Sequence, residues 1–193
     1  MEYLSVTKTP NRKALAMVEF SSIARGVCAL DIITKAAEVE ILTALTICPG
    51  KYLILFCGEL DAVSASLEAA RQVPSKIGEF VLGSPHPDIF QALGRTLGLM
   101  PKSALALIET YSAACAIKAA DTALKAAWAD IAQIRIAQGM CGKSTVILTG
   151  KLAEVTAAVE SAKNEASENG RLMDVAVIPN PDEKMLAAMV GVV

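Results

Sequence analysis

Residues 14–37 read ALAMVEFSSIARGVCALDIITKAA, and residues 104–127 read ALALIETYSAACAIKAADTALKAA. Shifted by 90, the two stretches agree at 11 of 24 positions, among them Glu19 with Glu109, Ser22 with Ser112, Asp31 with Asp121 and Lys35 with Lys125. After a two-residue slip the shift becomes 92, and residues 50–70 agree with 142–162 at 8 of 21 positions, including Gly50-Lys51 with Gly142-Lys143. So much agreement at so long a period marks a duplicated domain and is too widely spaced for a solenoid. The chain is expected to divide into domains 1–100 and 101–193, joined by a Gly- and Pro-punctuated linker around Gly98–Lys102.

Each half spells the same string of elements. An apolar stretch, Ala14–Phe20 or Ala104–Thr110, predicts a buried strand. Ser22 and Ser112 stand as N-caps before alanine-rich amphipathic helices. Val39–Ile47 or Asp130–Ile136 predicts a second strand, a Gly-containing turn follows, and Tyr52–Cys57 or Ser144–Thr149 completes a hairpin. Helices are predicted over Leu60–Val73 and Leu152–Glu168, and a last strand precedes a Pro-punctuated segment at Ser84–Pro87 or Ile178–Pro181. The order β-α-β-β-α-β predicts an α/β (α+β) fold of ferredoxin-like type, an antiparallel sheet with helices on one face.

Composition narrows the function. Hydrophobic residues make up 53% of the 193 and aromatics only 4%, so the cores are built from small side chains and the helices have smooth faces suited to packing against copies of the chain. Charges interrupt every apolar run before the roughly 20 residues a membrane span needs. A net charge of −2 leaves no basic footprint for nucleic acid. No secretory leader pattern stands at the N-terminus, so a cytoplasmic location is expected. There Cys28, Cys48, Cys57, Cys115 and Cys141 would stay reduced. Cys28, Cys57 and Cys115 read as small core hydrophobes. His86 lacks partners at a spacing for acid–base or metal chemistry and reads as a loop residue. Gly142-Lys143-Ser144 lacks the upstream glycine of a phosphate loop. Glu19 and Glu109 read as buried hydrogen-bonding partners. No enzyme site emerges.

These motifs together, A-L-A-M-V-E-F, D-I-I-T-K-A-A, T-I-C-P-G-K-Y-L-I-L-F-C-G and the closing D-V-A-V-I-P-N-P, resemble the bacterial microcompartment shell domain over about residues 14–190. The resemblance implies a non-enzymatic shell tile of the tandem-domain type. It implies a homotrimer that imitates a six-domain ring, associates with other shell proteins and has a pore on its axis. Cys48, Pro49 and Gly50 of the first half, with Met140, Cys141 and Gly142 of the second, would line that pore. Lys35 and Lys125 would be tile-edge contacts. Asn180 stands where the family commonly has arginine. In a tandem member that T-I-C-P-G-K resembles, three copies of the cysteine hold a 4Fe-4S cluster, one per trimer, and the carry-over lands on Cys48. That implies electron transfer across the shell and a luminal or cytosolic redox partner. Apart from the resemblance, Cys48 is a small residue in a turn. A tile with a small-metabolite pore and no cluster, or a cytosolic ferredoxin-like regulator, are the competing readings.

Overall fold

The first strand, β1 (Ala14–Phe20), is buried along its whole length. A strand with no solvent face needs hydrogen-bonding neighbours on both edges and cover on both sides. In the computed structural model of the chain, which describes residues 12–93, 103–137, 139–168 and 171–190, β1 has both edges paired. The antiparallel partners are β3 (Lys51–Gly58) and β4 (Lys76–Gly83), with β2 (Glu40–Ile47) beyond β3, giving the order β2-β3-β1-β4. The same sheet recurs from β5 (Ala104–Thr110), β6 (Asp130–Ile136), β7 (Ser144–Gly150) and β8 (Leu172–Pro179) as β6-β7-β5-β8. Register repeats too: Phe20 lies opposite Tyr52 as Thr110 lies opposite Ser144, and the irregularities after Glu19 and Ile41 return after Glu109 and Ile131.

The helices α1 (Ile23–Ala36) and α4 (Ala113–Ala126) begin at the predicted caps, the hydroxyls of Ser22 and Ser112 accepting from the backbone N–H of Arg25 and Cys115. With α2 (Leu60–Arg71), α1 covers the sheet face made by Ala14, Ala16, Val18 and Phe20, through Ile33, Val63 and Leu67. In the second unit, α4 packs against α5 (Leu152–Glu168), and α5 against β5. The chain separates into compact units Met1–Pro85 and His86–Val193. The expected linker at Gly98–Lys102 lies outside the described residues.

Two helices were not legible. The Pro-punctuated segments, read as loops, start α3 (Pro87–Ala92) and α6 (Glu183–Val190). His86 is therefore an N-cap, its Nδ1 accepting from the Asp88 N–H at 3.4 Å, and Asp182 caps α6 by accepting from the Lys184 N–H at 2.8 Å. Proline in a first helical turn sacrifices an N–H that has no intrahelical partner anyway, so the residue that reads as a breaker serves as a start. α6 adds a layer that the one-sided reading lacks: Leu186 and Met189 pack with Ile178 on Leu105 and Ile147, the sheet face away from α4 and α5.

The units differ inside as well. A Cβ built on Gly26 of α1 would lie 2.5–2.7 Å from the Tyr52 side chain, so Tyr52 fits only above a glycine. The second unit holds the buried pair Ala116 and Ser144 at those positions. Gly26→Ala should destabilise by about 1–3 kcal/mol through overpacking. In a Tyr52→Ser background the same change should be neutral or stabilising by about 1 kcal/mol, the helix gain of alanine over glycine. Urea unfolding of the four variants checks this reversal of sign.

Candidate functional site

The two hairpin tips are where the repeats stop matching. Ile47 pairs with Lys51, and the Ala137 N–H donates to the Lys143 carbonyl at 3.1 Å in the equivalent place. Between them lie residues 48–50 in the first unit and 138–142 in the second, which locates the two-residue slip in the tip itself. Met140 and Cys141 thus stand in the tip that corresponds to that of Cys48, without residue-for-residue equivalence. Cys48 is half-buried, Pro49 and Gly50 are exposed, and the Cys48–Pro49 peptide is cis. Gly50 has φ +73° with nothing within 4 Å of a built Cβ, so backbone conformation, not space, demands glycine there. Gly139 (φ +68°), Cys141 (φ +52°) and Gly142 (φ +89°) turn the second tip, with Cys141 exposed.

Behind each tip an ion pair neutralises the lysine that follows the glycine. Lys51 Nζ lies 3.6 Å from Glu19, and Lys143 Nζ lies 2.5 Å from Glu109. The hydrogen bond to Glu109, joined by its charge, raises the Lys143 pKa. The two glutamates read as buried partners have their role: they anchor the hairpin base from the central strand. Glu19 is buried and Glu109 half-buried. These lysines are engaged with carboxylates, a poor arrangement for cradling phosphate.

The other cysteines divide. Cys57 is fully buried on β3 and Cys115 is buried in α4, as read. Cys28 is exposed, contrary to the core reading, because it lies on the outward side of α1, whose buried positions are Gly26, Ala29 and Ile33. Burial, with the Glu40 carboxylate nearby, pushes the Cys57 thiol up to about 12. Its Sγ lies 3.6 Å from Glu40 Oε2, and Glu40 also accepts two hydrogen bonds from the Arg12 guanidinium. Among the described residues no three His, Cys, Asp or Glu side chains group closely enough to hold a metal ion. Each hairpin tip of one chain carries a single cysteine, Cys48 or Cys141.

A second candidate surface is a helix face that is open in one unit and covered in the other. On α1, Ile23 is 42% and Val27 50% exposed; their counterparts Ala113 and Ile117 on α4 are buried at 1% and 0%. The covered face is where α3 sits. Within the unit His86–Val193, α3 packs on β6 and α4, with Ile89 and Ala92 fully buried. The His86 N–H donates to Asp121 Oδ1 at 2.7 Å, and Leu93 forms a parallel bridge with Ile134. The counterpart of Asp121 is Asp31, paired with Lys35 at 2.7 Å and exposed; Asp121 is paired with Lys125 at 2.6 Å. Sequence reasoning missed this asymmetry because both helices have similar periodicity.

Among the described residues no helix is long and apolar enough to cross a membrane. The BMC domain family matches residues 14–85 and again 104–181. The chain is 33% identical over 180 residues to the bacterial microcompartment shell protein PduT of Citrobacter freundii, covering 92% of this chain and 98% of that one. It resembles the solved structure of a microcompartment protein from Desulfitobacterium hafniense, with TM-score 0.85 and 42% identity, covering 89% of this chain and 97% of that one. The carboxysome shell protein CsoS1 of Prochlorococcus marinus is 30% identical over 86 residues, 42% of this chain and 84% of that one.

Thiol chemistry should sort the cysteines. At pH 8, iodoacetamide should modify Cys28, Cys48 and Cys141 in the folded, metal-free protein and spare Cys57 and Cys115 until the chain is unfolded; peptide mass spectrometry reads the sites. The sign of the pH dependence follows from Cys57. The folded state keeps its proton up to about 12, whereas the unfolded thiol loses it near 9.0. The folded chain binds more protons in that window, so the Cys57 contribution to stability is present below pH 9 and falls as pH rises through it. Cys57→Val should flatten that part of a stability–pH curve.

Proposed function

The chain belongs to the bacterial microcompartment shell-protein family, as a member with two tandem domains, and on that premise we propose that three copies close into a ring whose axis is lined by the hairpin tips. The family is structural, and its place is the shell of a microcompartment in the cytoplasm. Ring closure is supported by the helix-face asymmetry. α3 and α6 are equivalent elements: each follows a residue of positive φ, Ser84 or Asn180, and each has a cap that accepts from the N–H two residues on. α3 finds its seat on α4 and β6, and the matching face of α1, with Ile23 and Val27, is open to the C-terminal helix of another copy, whose Leu186 and Met189 rest on its own sheet while Ala187 and Ala188 are exposed. In this reading α6 of one copy seats on α1 of the next, with Asp31 accepting from the Asp182 N–H. Such head-to-tail contacts must close or run on as a filament. Closure after three chains makes a tile of six domains.

At the axis of that tile one Cys48 from each chain gives three thiolates, and we assign them to a 4Fe-4S cluster. The donor set fits in number and chemistry. Iron–sulfur clusters are held by cysteine thiolates, usually four, so three would leave one iron for an outside ligand. Bound there, the group would supply one-electron transfer between the two sides of the shell, letting redox cofactors inside be recycled in place. The chain's own part is mechanical and electrostatic. Pro49 and Gly50 shape the turn that presents the thiol, while Glu19 neutralises Lys51 beneath it and Glu109 neutralises Lys143. The single observation carrying this assignment is a half-buried cysteine at the tip of one repeat only.

Two experiments test the reading. Sedimentation should give a trimer, and Val27→Arg, at a position half-exposed in the single chain, should give a monomer with unchanged circular dichroism. A folded Val27→Arg trimer would remove the α1 seat. Protein purified without oxygen should contain about four irons and four sulfides per trimer, with an EPR signal on dithionite reduction, and Cys48→Ala should lose both while remaining trimeric. Iron-free protein after anaerobic reconstitution would leave a tile with a plain metabolite pore.

A further inference from the structure

The two tips rest on ion pairs that look alike and differ in what surrounds them. Lys51 closes the three-residue turn that carries Cys48, since it pairs with Ile47 across the hairpin. Three residues of chain keep the Cα of Lys51 within about 11 Å of the Cα of Cys48. The Lys51 ammonium lies 3.6 Å from Glu19, and the two side chains are only 33% and 11% exposed. Across the sheet from Glu19, in register, stands Gly78 of β4, where a built Cβ would lie 3.9 Å from Glu19 Oε2. Lys76, the other cation at this end of β4, is engaged with Glu79 at 2.8 Å. Among the described residues the base of the Cys48 tip thus pairs one cation with one buried carboxylate. In the second unit the place of Gly78 is taken by Asp174, in register with Glu109, so two carboxylates share the face that Lys143 reaches.

Resting on the cluster reading, we propose that Glu19 is a positioning residue that acts through Lys51 to set the reduction potential of the group held by Cys48. Reduction brings in one electron, from dithionite or a mediator, and forms or breaks no bond, so the site becomes one charge more negative. An ammonium near the thiolates favours that extra charge, and a carboxylate opposes it. With Glu19 in place the two effects offset each other, once in each chain. The pair is felt at the tip because little of it is exposed; charges in water are screened beyond a Debye length of about 8–10 Å. One uncompensated charge at about 11 Å, in an effective dielectric of about 20, changes an equilibrium about tenfold. Gly78 serves the same end. It keeps a second carboxylate away from the tip that carries the ligand cysteine, whereas the second tip, whose Cys141 stands outside the assigned donor set, carries Asp174.

The test is a redox titration, followed by EPR, of the full chain purified and reconstituted without oxygen. Glu19→Gln, which keeps the shape of the side chain and removes its charge, should raise the reduced-to-oxidised ratio at a fixed poise about tenfold or more, which for a one-electron couple is about 59 mV. Glu19→Gln combined with Lys51→Gln, neutral again, should return the potential to that of the unsubstituted protein. Gly78→Asp copies the second unit at a site where a built Cβ meets nothing closer than 3.9 Å, and it should lower the potential. Glu59→Gln, at the exposed Lys13–Glu59 pair, should leave it unchanged. Iron content and circular dichroism accompany each titration. A merely structural role for Glu19 predicts loss of iron or of fold, with no return in the double variant. Iron-loaded Glu19→Gln or Gly78→Asp at the unsubstituted potential, or a double variant that stays displaced, would overturn this electrostatic control and leave the cluster standing. Unsubstituted protein that takes up no iron would overturn the cluster reading and this inference with it.

Discussion

The central strand of each sheet governs the rest. β1 is buried along its entire length, and in β5 only Leu107 and Glu109 are even partly exposed. Such strands cannot border water on either face or edge, so each unit needs two paired neighbours and cover on both faces. The covering helices α1 and α2 answer for one face of the first unit. In the second, α6 answers for the far face by seating Leu186 and Met189 over Leu105 and Ile147. The hairpin tips and helix ends remain free of this demand, and those are the places where chemistry and contact surfaces have diverged.

Much of this was legible in the residues because duplication writes the fold twice. The agreement of residues 14–37 with 104–127 establishes which periodicities are shared, and the apolar run Tyr52–Cys57 with the glycine turn before it gives the hairpin. Three features were not legible, each for a physical reason. The helix α3 starts at Pro87 and α6 starts two residues after Pro181, and proline signals a break and a coming helix start alike. Cys28 looks apolar enough for a core, but α1 keeps only Gly26, Ala29 and Ile33 inside, and nothing local says that its other face stays open. The Gly26–Tyr52 fit joins residues that are distant in sequence, so neither residue alone announces it. For the candidate site, the turn at Cys48 was legible as a turn, and the pairing of Lys51 with Glu19 across the sheet was not.

Duplication also explains why the functional differences sit where they do. Six copies of a single-domain chain would place six identical tips at an axis and six identical edges outside. Fusing two copies permits each feature to exist in two versions, which would alternate round the proposed ring. At the tips this yields Cys48 in one version and a loop longer by two residues, with Met140 and Cys141, in the other. Three thiolates would suit the proposed cluster with its open iron, whereas six would crowd one small group. At the helix ends it yields Glu38 in one version and the exposed Trp128 in the other.

The interior follows the same logic, since the units need not be interchangeable once they are covalently joined. The first packs Tyr52 over Gly26 beside Phe20, while the second places Ser144, Ala116 and Thr110 in those positions. Thr110 Oγ1 donates to the Ser112 carbonyl, and Ser144 Oγ accepts from the Ala137 N–H, so hydrogen bonds take over from aromatic packing beneath the longer tip. An aromatic filler stabilises by area and tolerates little change in backbone spacing. A set of small hydroxyls adds a second hydrogen bond to backbone groups already engaged, the Ala137 N–H with the Lys143 carbonyl and the Ser112 carbonyl with the Ala116 N–H. The two interiors are thus fitted to their tips: the tight turn that presents Cys48 rests on a rigid aromatic contact, and the looser turn carrying Met140 and Cys141 rests on local hydrogen bonds.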